Sequence, residues 1–224
     1  MPNELTNNND NQLLKSLQGL QKKKSINELL KESNIILQEK PDKVLLILLD
    51  VSGSMISLME NASKLEVAWG VLHQDLAPNM AGWTYGIIKF SDGARFEIAP
   101  TNNPNAMSAV QRPHIEGNTD LVAGLQLSWE WIRHNTKQAR IIVLTDGEPT
   151  DAPKNAILEM VSQHSNIPID TIGIGKGGFG YDPIFLAELS RITGGIFAEA
   201  GSVAILSDII KALSPVNRPL LGTV

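Results

Sequence analysis

Three segments of this chain gather side-chain oxygens at the ends of otherwise apolar runs. The run "VLLILL" stops at Asp50, and Ser52 and Ser54 follow at two-residue spacing around Gly53. Thr119 lies in "EGNTDLVAGL", just ahead of a helical pattern, and Asp146 closes "RIIVLTD". Carboxylates and hydroxyls without nitrogen or sulfur suit a hard divalent cation such as Mg²⁺ or Mn²⁺. Two carboxylates would balance its charge, while three neutral hydroxyls would leave its octahedron incompletely filled by protein. Such an ion takes one more oxygen, ideally a carboxylate brought by something else. Seen alone, "DVSGS" has a plainer reading, because aspartate and serine after a strand commonly cap the next helix.

For these segments to meet, their strands must end side by side, since open α/β sheets bind ligands outside the carboxyl ends of their strands. Apolar runs predict strands over 44–50, 84–90, 94–99, 139–146, 169–174 and 196–199. Helical periodicity predicts helices over 54–76, 120–135, 152–164, 183–193 and 203–213. In the first, Met55, Leu58, Met59, Ala62, Leu65, Trp69, Leu72 and Leu76 share one stripe, so that Ser54 would open a helix whose amino end favours a nearby anion. Asp151 before Pro153 and Asp182 before Pro183 read as capped helix starts. Strand and helix in alternation imply a parallel sheet covered on both faces. The link Ser91-Asp92-Gly93 is too short for a crossover, so 84–90 and 94–99 form an antiparallel hairpin, with Gly93 expected in the left-handed conformation.

Residues 1–42 read as a helical extension. Leu13, Leu14, Leu17 and Leu20 recur at helical spacing, and Ser25 with Glu28 forms a capping-box pattern ahead of Ile26, Leu29, Leu30, Ile36 and Leu37. Such short amphipathic helices pack on the following domain or dock a partner. Residues 43–214 form the main domain, and 215–224, with Pro215 and Pro219, an extended tail. A formal charge of −5 over 224 residues gives no reason to expect nucleic acid. The absence of cysteine excludes disulfides and thiolate sites. No apolar run approaches the roughly 20 residues of a membrane span, and the polar amino terminus does not resemble a signal peptide. The expected location is the cytoplasm.

In order, "DVSGS", "GNTD" and "TDGEP" resemble the von Willebrand factor type A (vWA) domain and its metal ion-dependent adhesion site (MIDAS). The resemblance covers 43 to about 213 and is strengthened by "FSDGARF", "IGIG" and "ITGGIFAEA". It implies a doubly wound, Rossmann-like α/β sheet of order 3-2-1-4-5-6 with strand 3 antiparallel. It also implies that Ser52, Ser54 and Thr119 contact the metal closely, with Asp50 and Asp146 acting largely through water. A partner protein's Asp or Glu would complete the Mg²⁺ or Mn²⁺ shell, and a MoxR-type AAA+ ATPase is a possible associate by family analogy. The expected partner-binding rim includes Met55, Asn118, Gly147, Glu148 and Lys176.

The expected function is therefore a cation-dependent protein-binding module and not an enzyme, an adaptor or subunit of an intracellular assembly. Two other readings stay open: a Mg/Mn-dependent hydrolase or phosphatase, and a structural subunit docked through its amino-terminal helices. Other motifs are weaker. Gly173, Gly175 and Gly178 satisfy G-x-G-x-x-G but come too late for a dinucleotide fold. "GFGYDPIF" resembles a stretch of inosine triphosphate pyrophosphatases without that family's phosphate-binding pattern. Ser52 lacks the preceding glycine of a nucleophile elbow, and the residue two beyond Asp50 is serine where a dehalogenase-like phosphatase has aspartate.

Overall fold

The run Lys43–Asp50 is buried at every residue after the first, as befits a strand with neighbours on both edges and helices on both faces (β1). In the computed structural model, which describes residues 41–80, 82–136, 138–176 and 180–214, it is the centre of a six-stranded sheet. The expectations for the amino-terminal helices and for the tail at 215–224 lie outside the described residues. The other strands are β2 (Thr84–Phe90), β3 (Ala94–Thr101), β4 (Gln138–Thr145), β5 (Ile169–Ile174) and β6 (Phe197–Ala200). Their order is β3-β2-β1-β4-β5-β6, parallel except for β3, which returns antiparallel to β2. The doubly wound architecture read from the sequence is the one observed.

Alternate residues of β1 feed two cores. Leu45, Ile47 and Leu49 pack with Leu65, Leu72, Leu206 and Ile210 on one face. Val44, Leu46 and Leu48 pack with Leu125, Trp129, Val161 and Leu189 on the other. The covering helices are α1 (Lys64–Val71, continued by a wide turn at Leu72–Leu76), α2 (Leu121–Asn135), α3 (Lys154–Ser162), α4 (Pro183–Thr193) and α5 (Val203–Leu213). From β1 the chain crosses over to β2 on one side, and β4 lies on its other side. The carboxyl ends of β1 and β4 therefore flank the point where the winding reverses, where such sheets leave a crevice.

Several local expectations are corrected. The helix over 54–76 is broken: Gly53–Ile56 is a 3₁₀ turn, Leu58–Met59 pairs with Ala62–Ser63 as a short hairpin, and α1 begins only at Lys64. The helical stripe is real in part, but Ser63 and Glu66 form a capping box that starts a fresh helix. With Ser54 in a single 3₁₀ turn, the long helix expected to open at Ser54 does not form there. Gly93 is not left-handed; the tight link closes by the Ser91 N–H donating to the Gly93 carbonyl at 2.9 Å. Asp151 does not cap α3, whose first helical residue is Lys154; its carboxylate instead accepts from the Val122 N–H at the start of α2, at 3.0 Å. Asp182 caps α4 as expected, accepting from the N–H groups of Ile184 and Phe185.

Candidate functional site

Three loops, the one that follows β1, the one that leads into α2 and the one that follows β4, are braced against each other by their backbones. Glu116 N–H donates to the Val51 carbonyl at 2.7 Å, and Gly53 N–H to the Gly117 carbonyl at 3.1 Å. The Thr150 N–H donates to the Thr119 carbonyl at 3.0 Å, while the Thr119 N–H reaches the Thr150 hydroxyl at 3.2 Å. The middle loop has a further brace, since Lys89 Nζ, on a nearly buried residue of β2, donates to Glu116 Oε1 at 2.7 Å. That bond, more than the nearby Arg95, holds the Glu116 carboxyl below its usual range. At the tip, Asn118 donates to Asp92 through its backbone and side-chain N–H groups, at 2.9 and 2.8 Å. A Cβ at Gly117 would lie 1.7 Å from an Asp92 oxygen, so a larger residue there would displace the Asp92 side chain from Asn118.

On this frame all five oxygen-bearing residues come together. Asp50 is fully buried; its Oδ1 accepts from the Ser52 N–H at 2.8 Å and its Oδ2 from the Thr145 hydroxyl at 2.5 Å. Ser52 Oγ and Ser54 Oγ are 3.0 Å apart, and Ser54 Oγ donates to Asp146 Oδ1 at 2.6 Å. Gly147 shows where they converge. A Cβ built on it would lie 3.2 Å from Thr119 Oγ1, 3.4 Å from Ser54 Oγ and 3.7 Å from Asp50 Oδ2. Glycine therefore leaves a small cradle whose floor is the third loop and whose walls carry oxygens from the other two. Burial, opposed by the Thr145 and Ser52 hydrogen bonds and reinforced by the charge of Asp146, pushes the Asp50 carboxyl up to about 6. Among the described residues no three His, Cys, Asp or Glu form a metal cluster, so any ion held here depends on the hydroxyls as well as the two carboxylates. An all-oxygen set of this kind suits Mg²⁺ or Mn²⁺.

The rim is partly as expected. Asn118, Glu148 and Lys176 are exposed, whereas Gly147 is buried and forms the floor of the cradle. Met55 is not on the rim: it is fully buried and packs in the core with Leu65 and Leu49. Its place at the surface is taken by Ile56 and Leu58, 65% and 72% exposed. A groove of about 680 Å³ leads from Ser54 and Asp146 along Leu58, Lys64, Lys176 and Ser202. A second groove, of about 760 Å³, lies near the opposite end of the sheet, where Trp129 stacks on His164.

Two site residues escaped the sequence. Thr145 stands one residue before Asp146 and anchors Asp50; a threonine ending an apolar strand gave no signal of that role. Lys64 Nζ donates to Asp146 Oδ2 at 2.7 Å, with the lysine side chain 11% and the aspartate 1% exposed. The signal that could have found Lys64 is the capping box around it, which places the first turn of α1 beside the site.

A family model for the von Willebrand factor type A domain matches residues 45–148, the stretch carrying all five oxygen residues. No curated protein matches the chain in sequence. Among solved structures, a von Willebrand factor type A protein from Catenulispora acidiphila superposes with a TM-score of 0.63 at 18% identity, over 77% of this chain and 42% of that one. The conserved hypothetical protein BatB from Bacteroides thetaiotaomicron gives 0.61 at 19%, over 77% of this chain and 98% of that one. An aerotolerance-related membrane protein from Bacteroides fragilis, solved with multiple mutations to serines, gives 0.60 at 22%, over 76% and 96%. The chain thus spans less than half of the first of these and nearly all of the other two, and the likeness is one of fold. Among the described residues no helix is long and apolar enough to cross a membrane.

Proposed function

We propose that this vWA fold is a divalent-cation-dependent protein-binding module, in which Asp50, Ser52, Ser54, Thr119 and Asp146 hold Mg²⁺ or Mn²⁺. The observation that carries the reading is the cradle at Gly147, where the Asp50, Ser54 and Thr119 oxygens of two loops converge on the backbone of a third, beside Asp146. When bound, the cation would offer an open position to a carboxylate oxygen. The residues around it supply the rest: Asp50 and Asp146 provide the counter-charge, the Thr145 hydroxyl keeps Asp50 oriented, and Ser54 links the first loop to the third. Exposed Ile56 and Leu58 beside the site suit a partner protein whose acidic residue is flanked by apolar ones.

The same geometry favours binding over hydrolysis. The hydroxyls of Ser52 and Ser54 are partnered with each other and with Asp146, not with a histidine that could activate them. Both oxygens of Asp50 are engaged by hydrogen-bond donors, which suits a fixed charge better than a nucleophile. In this reading the chain is an adaptor or subunit of an intracellular assembly, which leaves room for a MoxR-type ATPase as an associate.

The test is capture of binding partners by immobilised protein with Mg²⁺, compared with EDTA and with Asp146→Ala. The expected result is a partner retained only by the wild type with Mg²⁺. Capture indifferent to chelator and mutation would overturn the proposal, as would robust phosphoester turnover that requires Mn²⁺ and disappears in Asp50→Ala.

A further inference from the structure

Lys64 has no place in the oxygen set, yet its ammonium lies 2.7 Å from one of its two carboxylates, on a side chain only 11% exposed. The local fold is built to hold it there. The Leu58–Met59 and Ala62–Ser63 hairpin ends in the capping box of α1, and the Lys64 N–H donates to the Ser57 carbonyl at 2.9 Å. Glu60, at the hairpin turn with φ 58°, accepts from the Val203 N–H at 3.2 Å and ties this corner to α5. Asp146 therefore presents Oδ1 to the Ser54 hydroxyl and Oδ2 to a fixed positive charge.

We infer that Lys64 sets the balance between cation affinity and carboxylate affinity, a role that rests on the metal-binding reading above. The charge count gives the direction. With both aspartates ionised and Lys64 present, the site carries −1; a divalent cation brings it to +1, and a partner carboxylate then neutralises it. Without the lysine the same steps run from −2 to 0 to −1. Lys64 thus weakens the hold on the metal and leaves the loaded site positive, so that an incoming carboxylate is attracted. Charges this close, with so little water between them to screen the field, interact strongly enough to matter. A lysine with a merely structural role has no such crossed effect; its loss would loosen Asp146 and weaken both ligands together.

The experiment titrates Mn²⁺ into the full chain by electron paramagnetic resonance. Acetate is then titrated into the Mn²⁺-saturated protein and read by the loss of water proton relaxation as a bound water is displaced. Lys64→Met removes the charge, Lys64→Gln removes it while retaining a donor to Asp146, and Lys64→Arg keeps it. Lys211→Met, at a lysine paired with Asp75 on α5, makes the same change in net charge away from the site. The expected result is Mn²⁺ binding at least about tenfold tighter, and acetate binding weaker by a similar factor, in both neutral variants. Lys64→Arg and Lys211→Met should match the wild type. Unchanged affinities, or metal and acetate affinities falling together, would overturn the inference while leaving the cation site intact. Failure of the wild type and all variants to bind Mn²⁺ would remove the metal-binding reading and this inference with it.

Discussion

Asp50→Asn should stabilise the metal-free protein at neutral pH while abolishing cation binding. Asp50 is fully buried, and burial is the main reason its carboxyl rises from an ordinary 3.8 to about 6. A group whose folded pKa lies above its unfolded one contributes stability that is complete below the unfolded value and lost as the pH rises through the folded value. The rise from 3.8 to about 6 corresponds to about 3 kcal/mol lost across that window. Asparagine carries no charge to bury. Its carbonyl can keep the bond from the Ser52 N–H, and the Thr145 hydroxyl has the Gly147 carbonyl at 3.3 Å as another acceptor. The assay is urea unfolding in EDTA at a series of pH values from 4 to 8, with the difference between variant and wild type plotted against pH. That difference should grow in favour of the variant through the window and level off above it, approaching about 3 kcal/mol less whatever the altered hydrogen bonding costs. Adding Mg²⁺ should then stabilise the wild type and not the variant. A difference independent of pH, or a variant less stable than the wild type at pH 7.5 in EDTA, would refute the claim that Asp50 is a charge held at a cost for function.

Gly147→Ala should leave the fold nearly intact, within about 1.5 kcal/mol, because Gly147 has no positive φ and the nearest contact of its new methyl is 3.2 Å. The methyl would nevertheless enter the cradle, and Mn²⁺ binding measured by calorimetry should weaken by more than about tenfold, given how tightly the metal's shell is constrained. Glu116→Gln should cost roughly 1–3 kcal/mol in urea unfolding, since it leaves the nearly buried Lys89 with only Glu97 at 3.8 Å as an acidic partner and loosens the loop that presents Thr119. Ser63→Ala should cost about 1 kcal/mol through loss of the capping box, and by freeing the first turn of α1 it should also shift Mn²⁺ affinity.

The strands and the five oxygen residues were legible in the chain because each is written in local pattern, whereas the strand order followed from the family resemblance. "VLLILL" can only be buried on both sides, "SDG" can only turn back, and Asp50, Ser52, Ser54, Thr119 and Asp146 sit at recognisable boundaries between apolar runs and turns. Where the reading failed, the local pattern was ambiguous. Met55, Leu58, Met59, Ala62 and Leu65 fit a helical stripe, and the hairpin that interrupts them is marked only by Ser63 and Glu66, the two residues of a capping box. Burial of Met55 follows from the same break, because a 3₁₀ turn aims it into the core and leaves Ile56 and Leu58 outside. Lys64 and Asp146 are 82 residues apart, and Thr145 and Asp50 are 95 apart. Periodicity records which side of an element is buried, whereas the partner of a charge is decided by which strand ends the sheet brings side by side. The amino-acid sequence by itself determined that oxygen side chains would stand at the carboxyl ends of buried strands. Only the tertiary structure decided that a lysine would stand against one of its carboxylates, because that contact depends on where α1 begins and on how β1 and β4 are placed.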